Sequence, residues 1–67
     1  MEIQLNNQAR EIASGATVQQ LLDECVGAEQ NGIAVAVNNS VVPKAQWDLY
    51  LLQASDKMII IRATQGG

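Results

Sequence analysis

The side chains most often used for chemistry are scarce in this sequence. It has no histidine and one cysteine, Cys25. The commonest general base is therefore missing, zinc sites of the usual kinds are nearly excluded, and no disulfide can form within the chain. The group that stands out lies at the end of "RATQGG". Gly66 and Gly67 add nothing to a core and leave the backbone unrestrained. Glycine is about 7% of residues, so a pair at this position arises by chance in roughly half a percent of chains. A terminal carboxylate on Gly67 titrates at about 3.5 and is ionised at neutral pH. It is a weak electrophile until activated, and activation with ATP requires that it reach an enzyme's site through a narrow channel. Two residues without Cβ atoms form the thinnest and most flexible thread for that purpose. A frayed terminus is the competing explanation.

The elements that must present such a thread fit in one domain, because the chain has 67 residues. A chain this short buries only about 60% of the surface exposed when unfolded, which leaves little room for an enclosed active site beside a core. Hydrophobic residues make up 48% of the sequence, enough for a folded domain. The net charge is −3. Arg10, Lys44, Lys57 and Arg62 are spread along the chain, so no basic patch for nucleic acid is expected. The apolar runs are far too short to span a membrane, and "MEIQLNNQ" lacks the basic start and apolar stretch of a signal peptide. A soluble cytoplasmic protein that is not an enzyme in its own right, and that binds no metal, is the expectation.

"EIQLN" alternates with the period of a half-buried strand, and "QAREI" returns as a second after the turn-forming pair Asn6-Asn7. In "SGATVQQLLDECVG", Thr17 is a good N-cap and Gln20 follows three residues later, as a capping box requires. Val18, Leu21, Leu22, Cys25 and Val26 then form one apolar helix face, ended by Gly27. Cys25 is expected in the core, since free cysteine is among the most buried residues. "IAVAVN" reads as a third strand, with Ile33, Val35 and Val37 toward the helix and Ala34 and Ala36 on a small apolar face. Asn38-Asn39 turns into a short strand, "SVV", which Pro43 stops. "PKAQWDLYL" suggests a helical turn with Pro43 at its first position. Trp47 is expected to cap one end of the core, whereas Leu49 and Leu51 are ambiguous. "KMIIIRA" is the last and strongest strand, with Met58 and Ile60 on one face and Ile59 and Ile61 on the other. One helix can cover only one face, so Ile59 and Ile61 are candidates for a partner-facing patch unless a loop covers them. The order of elements describes an α+β domain in which a sheet grasps a single helix, with the last strand able to pair with the first.

The whole chain resembles the ThiS family, the small sulfur carriers of thiamin biosynthesis. The resemblance is carried by "MEIQLNNQ", "SGATVQQLL", "VAVNNSVVP" followed by "KAQW", "SDKMIII" and the closing "QGG". It implies a β-grasp, ubiquitin-like fold, with a mixed four- to five-stranded sheet packed on one main helix. Residues 1–63 would form the domain and residues 64–67 a flexible tail. It also implies a mechanism. A ThiF-like enzyme uses ATP to adenylate the Gly67 carboxylate, and Gly66 supplies reach. A sulfur donor such as a cysteine desulfurase then provides for a thiocarboxylate, which a ThiG-like thiazole synthase consumes. No cofactor would be bound by the carrier itself. Ile59, Ile61 and Arg62 are the expected partner contacts, although a solvated surface charge explains Arg62 equally well. The family often has a glycine before the aspartate preceding the last strand; here that residue is Ser55. Two further readings share the adenylation step and differ in the acceptor. One is a carrier like the small subunit of molybdopterin synthase, disfavoured by the absence of phenylalanine. The other is a ubiquitin-like modifier joined to target lysines.

Overall fold

The computed structural model describes residues 1–28 and 30–62. Its elements are β1 (Glu2–Leu5), β2 (Gln8–Glu11), α1 (Val18–Cys25), β3 (Ile33–Val37), β4 (Ser40–Val41), a 3-10 turn (Lys44–Gln46) and β5 (Lys57–Arg62). They form a five-stranded sheet in the order β2-β1-β5-β3-β4. β5, the last strand in the chain, is thus central. It pairs parallel to β1 and antiparallel to β3. β1 with β2 and β3 with β4 are antiparallel hairpins.

Both hairpins close through an asparagine pair. Asn6 and Asn7 have φ of 50° and 69°, and Asn38 and Asn39 have φ of 51° and 70°. Positive φ at both central residues is what a two-residue hairpin turn needs to match strand twist, and asparagine tolerates it. The first residue of each pair also holds β5. Asn6 Oδ1 accepts from the Ile60 amide at 2.8 Å, and Asn38 Oδ1 accepts from the Lys57 amide at 3.0 Å. Two turns that point in opposite directions along β5 therefore grip the central strand from its two sides.

The helix starts as its capping signal predicts. Thr17 Oγ1 accepts from the Gln20 amide, and the Gln20 side chain accepts from the Thr17 amide. The next two orphan donors find loop carbonyls. The Val18 amide donates to Tyr50 O and the Gln19 amide to Trp47 O, at 3.0 and 2.9 Å. These bonds lash the segment 47–52 across the helix start and satisfy groups that a helix cannot satisfy alone. At the other end Gly27, at φ 80°, turns the chain away. Asp23 accepts from Gln30 Nε2 and Gln19 Nε2, at 2.8 and 2.9 Å. These bonds hold its carboxyl below the ordinary aspartate value. The stabilising tie is complete above the ordinary value and is lost as pH falls through the lowered one.

One face of the sheet lies against α1. The core comprises Ile3, Val18, Leu21, Leu22, Val35, Val37, Val42, Trp47, Leu52 and Met58. Trp47 is buried, and its Nε1 donates to Val42 O at 2.9 Å. The tryptophan thus caps the core, with its one polar group satisfied.

Three local expectations need correction or completion. Cys25 is exposed rather than part of the core. Val26, one residue further on, is half-buried against the core, so the covered stripe passes beside Cys25 and not over it. Periodicity identifies a face but not where its edge falls. Pro43 is the N-cap of the 3-10 turn, in extended geometry (φ −60°, ψ 148°), not its first residue. Of the ambiguous leucines, Leu49 and Leu51 are exposed, and the neighbouring Leu52 enters the core.

Ser55 sits in the turn before β5 at φ 71°, a left-handed conformation. Left-handed backbone costs an L-residue about 1–2 kcal/mol, whereas glycine's extra chain entropy costs about 0.5–1 kcal/mol. Relief of strain wins. Ser55→Gly is expected to raise the unfolding free energy by about 0.5 kcal/mol, and Ser55→Val to lower it, in urea denaturation followed by Trp47 fluorescence.

Candidate functional site

The face of the sheet opposite α1 is open among the described residues. Strand alternation places Lys57, Ile59 and Ile61 of β5 on it, with Met58 and Ile60 directed at the core. Ile59 is 38% exposed and Ile61 is 56% exposed. Register then decides what surrounds them. Ile59 lies opposite Ala36, and Ile61 opposite Ala34. Ala36 in turn lies opposite Val41 of β4, which is exposed. The alanines are too small to rise above the sheet. They leave a shallow apolar floor in which two isoleucines and a valine project. Gln4 of β1 flanks it beside Lys57.

This patch needs no strain to exist. A central strand must be apolar on its core face, and β-branched residues suit either face. The choice of isoleucine on the open face is not required by the core, since no described element covers it. A contiguous exposed apolar surface of this kind is a candidate interaction site.

The structure thus brings Ile59 and Ile61 together, as the sequence implies. It separates Arg62 from them. Arg62 is exposed and lies opposite Ile33, and alternation turns it toward the other face of the sheet. Gly66 and Gly67, and the boundary expected between residues 63 and 64, lie outside the described residues. Three contributors to this surface were not singled out from sequence. Val41 required the β3–β4 register. Lys57 and Gln4 required the knowledge that β1 and β5 are neighbours.

A polar corner supports the start of β5. Asp56 is buried. Its Oδ1 accepts from Asn38 Nδ2 at 2.9 Å and its Oδ2 from the Gln53 amide at 2.8 Å. The Gln4 amide donates to Asp56 O, and the Ser55 amide to Glu2 O. A buried carboxylate would be costly without such partners. With them it joins the β3–β4 turn, the loop before β5 and β1, and so sets the register from which Ile59 and Ile61 are displayed.

Among the described residues no helix is long and apolar enough to cross a membrane. The open face offers apolar contact, with amide groups and one ammonium at its margin.

A mixed five-stranded sheet wrapped on one helix, with its central strand last in the chain and its outer face uncovered, is a β-grasp domain of the ubiquitin-like class. Solved structures agree. The crystal structure of the thiamine biosynthesis protein ThiS from Geobacter metallireducens superposes with a TM-score of 0.86, at 20% identity over all of both chains. SAMP1 from Haloferax volcanii superposes with a TM-score of 0.64, at 19% identity over 98% of this chain and 97% of that one. At these identities the likeness is one of fold. Sequence comparison goes further. The model of the ThiS family matches residues 3–67. The sulfur carrier protein ThiS of Escherichia coli (strain K12) is 36% identical over 67 residues, covering the whole of both chains. The chain belongs to the ThiS family.

If Ile61 serves docking and not folding, its loss should barely affect stability. Ile61→Asp is expected to cost less than about 1 kcal/mol, the span of strand propensities, because the residue is already half in water. Met58→Asp, on the buried face of the same strand, should fail to fold. Circular dichroism and urea titration of the two variants measure the difference.

Proposed function

We propose that this chain is a sulfur carrier of thiamin biosynthesis, a substrate and not a catalyst, with the Gly67 carboxylate as its working group. The observation that carries the reading is the end-to-end match to a sulfur carrier protein within the ThiS family, in a sequence that closes on Gly66-Gly67.

The chemistry follows from what a carboxylate lacks. Its oxygen is a poor leaving group, so sulfur cannot displace it directly. A ThiF-like enzyme lets a Gly67 carboxylate oxygen attack the α-phosphorus of ATP, and pyrophosphate leaves. The resulting acyl adenylate has AMP as a good leaving group. Sulfur at the oxidation level of hydrosulfide, drawn from cysteine through a desulfurase, attacks the acyl carbon. The C–S bond forms, the bond to the AMP oxygen breaks, and the product is a thiocarboxylate. Delivery as a protein persulfide gives an acyl disulfide first, which a thiol reductant cleaves. A ThiG-like thiazole synthase then takes the sulfur.

The carrier's share of this work is presentation. Residues 63–67 follow β5, and five extended residues reach at most about 17 Å. The partner's reacting site must lie within that distance of the end of β5. Ile59 and Ile61 lie on the strand that feeds this segment, so a partner resting on the open face is held beside its own substrate. ATP is bound by the activating enzyme, and the carrier holds no cofactor of its own. Each of these proteins would meet the carrier in the cytoplasm.

The intact mass of the chain is the direct test. Incubation with ATP, the adenylating enzyme and a sulfur source should replace one oxygen by sulfur. A chain lacking Gly67 should fold normally and show no change. An unchanged mass for the full chain beside a competent enzyme would overturn the reading. A lysine-linked adduct instead would indicate a protein modifier.

A further inference from the structure

The two asparagine turns differ in what their second residues do. Asn6 and Asn38 bind β5 through their side chains and cannot be replaced without loss. Asn7 and Asn39 make no such bond among the described residues. At these second positions, with φ of 69° and 70°, glycine is the better turn former. Both turns nevertheless keep an amide there. A local preference ignored twice, in the same way, points to a use for the side chain.

Both amides line one cleft. A cavity of about 400 Å³ lies between the turns, bounded by Gln4, Asn7, Asn39 and Lys57 with Asn38, Met58 and Ile59. No carboxylate lines it. Asp56, next to Lys57 in sequence, has its carboxylate oxygens engaged by Asn38 and Gln53. Glu2 lines the adjoining cleft with Lys57 but makes no ion pair with it. The other cations near carboxylates or rings are occupied: Arg10 faces Glu24 at 3.6 Å, and Lys44 lies over Trp47. In a chain of net charge −3, Lys57 is thus a cation held without an anionic partner among the described residues.

We propose that this cleft receives an Asp or Glu side chain of the protein that docks on the open face. The inference rests on the carrier reading for the identity of that protein, the adenylating enzyme. The donor set suits a carboxylate. Lys57 supplies the charge, and the amides of Gln4, Asn7 and Asn39 supply N–H groups for two oxygens with about four lone-pair positions. The cleft also has room for the backbone that carries the acid. Its position gives it a role the apolar patch cannot fill. Ile59 borders both, so the socket continues the patch toward the end of β5 remote from the tail. Apolar contact alone tolerates sliding along the strand. A charged contact at one end fixes the register in which the other end delivers the tail.

The test is a titration of the full chain against its adenylating enzyme at low and high salt. Lys57→Glu is expected to weaken binding more than about thirtyfold, and Lys57→Gln about fivefold, with a flatter salt dependence in both. The double variant Asn7→Gly/Asn39→Gly separates binding from folding. It should melt at a temperature no lower than the parent, yet bind about tenfold more weakly. Parental affinity in Lys57→Glu and in the double variant, with the parent still acquiring sulfur, would overturn the socket and leave the carrier reading standing. A parent chain that neither binds the enzyme nor changes mass would overturn both. Competition by millimolar succinate or inorganic phosphate would make the cleft a small-anion site and also overturn the proposal.

Discussion

One helix covers one face of one sheet, and a chain of this size has room for one helix. Most of what the domain displays follows from that constraint. The core must be assembled from the inner face of the sheet, α1 and the segment that carries Trp47 and Leu52. The outer face is left without cover among the described residues. An ordinary solution would fill it with polar residues. Here β5 and β3 fill it with isoleucine and alanine, which stay exposed or half-exposed to solvent. The core and the exposed apolar face are the two sides of the same six-residue strand.

A strand with both faces committed has to be held through its backbone and its ends. This is where the polar residues of the domain are concentrated. Asn6 and Asn38 reach β5 from its two neighbours, and Asp56 ties the loop before it to both. The two asparagine contacts run from side chain to backbone across long sequence separations, so they fix register and not merely proximity. Register matters because a slip of one residue would exchange Met58 and Ile60 for Ile59 and Ile61. The core would then receive Ile59 and Ile61, and the open face would present Met58, Ile60 and Arg62 in their place.

The fold was legible in sequence wherever a local rule carries the information. Thr17 and Gln20 mark the helix start because a capping box satisfies donors within its own span. The asparagine pairs mark hairpins because few residues accept positive φ. Alternation in β5 separates Met58 from Ile59 without reference to any neighbour. What was not legible depended on neighbours. Cys25 keeps the helical period but is left exposed, while Val26 beside it packs against the core. Leu51 and Leu52 are adjacent and alike, and only the lashing of residues 47–52 to the helix start decides which one turns inward. Ser55 gives no sign in sequence that its backbone is left-handed. The cleft was hidden for the same reason: Gln4, Asn7, Asn39 and Lys57 come from two strands and two turns, and meet only once the strand order is known.

The position of β5, central in the sheet yet last in the chain, has a kinetic consequence. β1 with β2 and β3 with β4 can each pair locally, but β1 and β3 share no edge. The two hairpins become one sheet only when β5 inserts between them. That step closes the longest loops in the molecule and so comes at the highest entropic cost. Until it occurs, Ile59 and Ile61 have no alanine floor beside them and Met58 has no core to enter. The surface that a partner would recognise is thus created by the event that completes folding. A protein that reads Ile59 and Ile61 in their register with Ala36 and Ala34 reads, in the same contact, that the chain has finished folding.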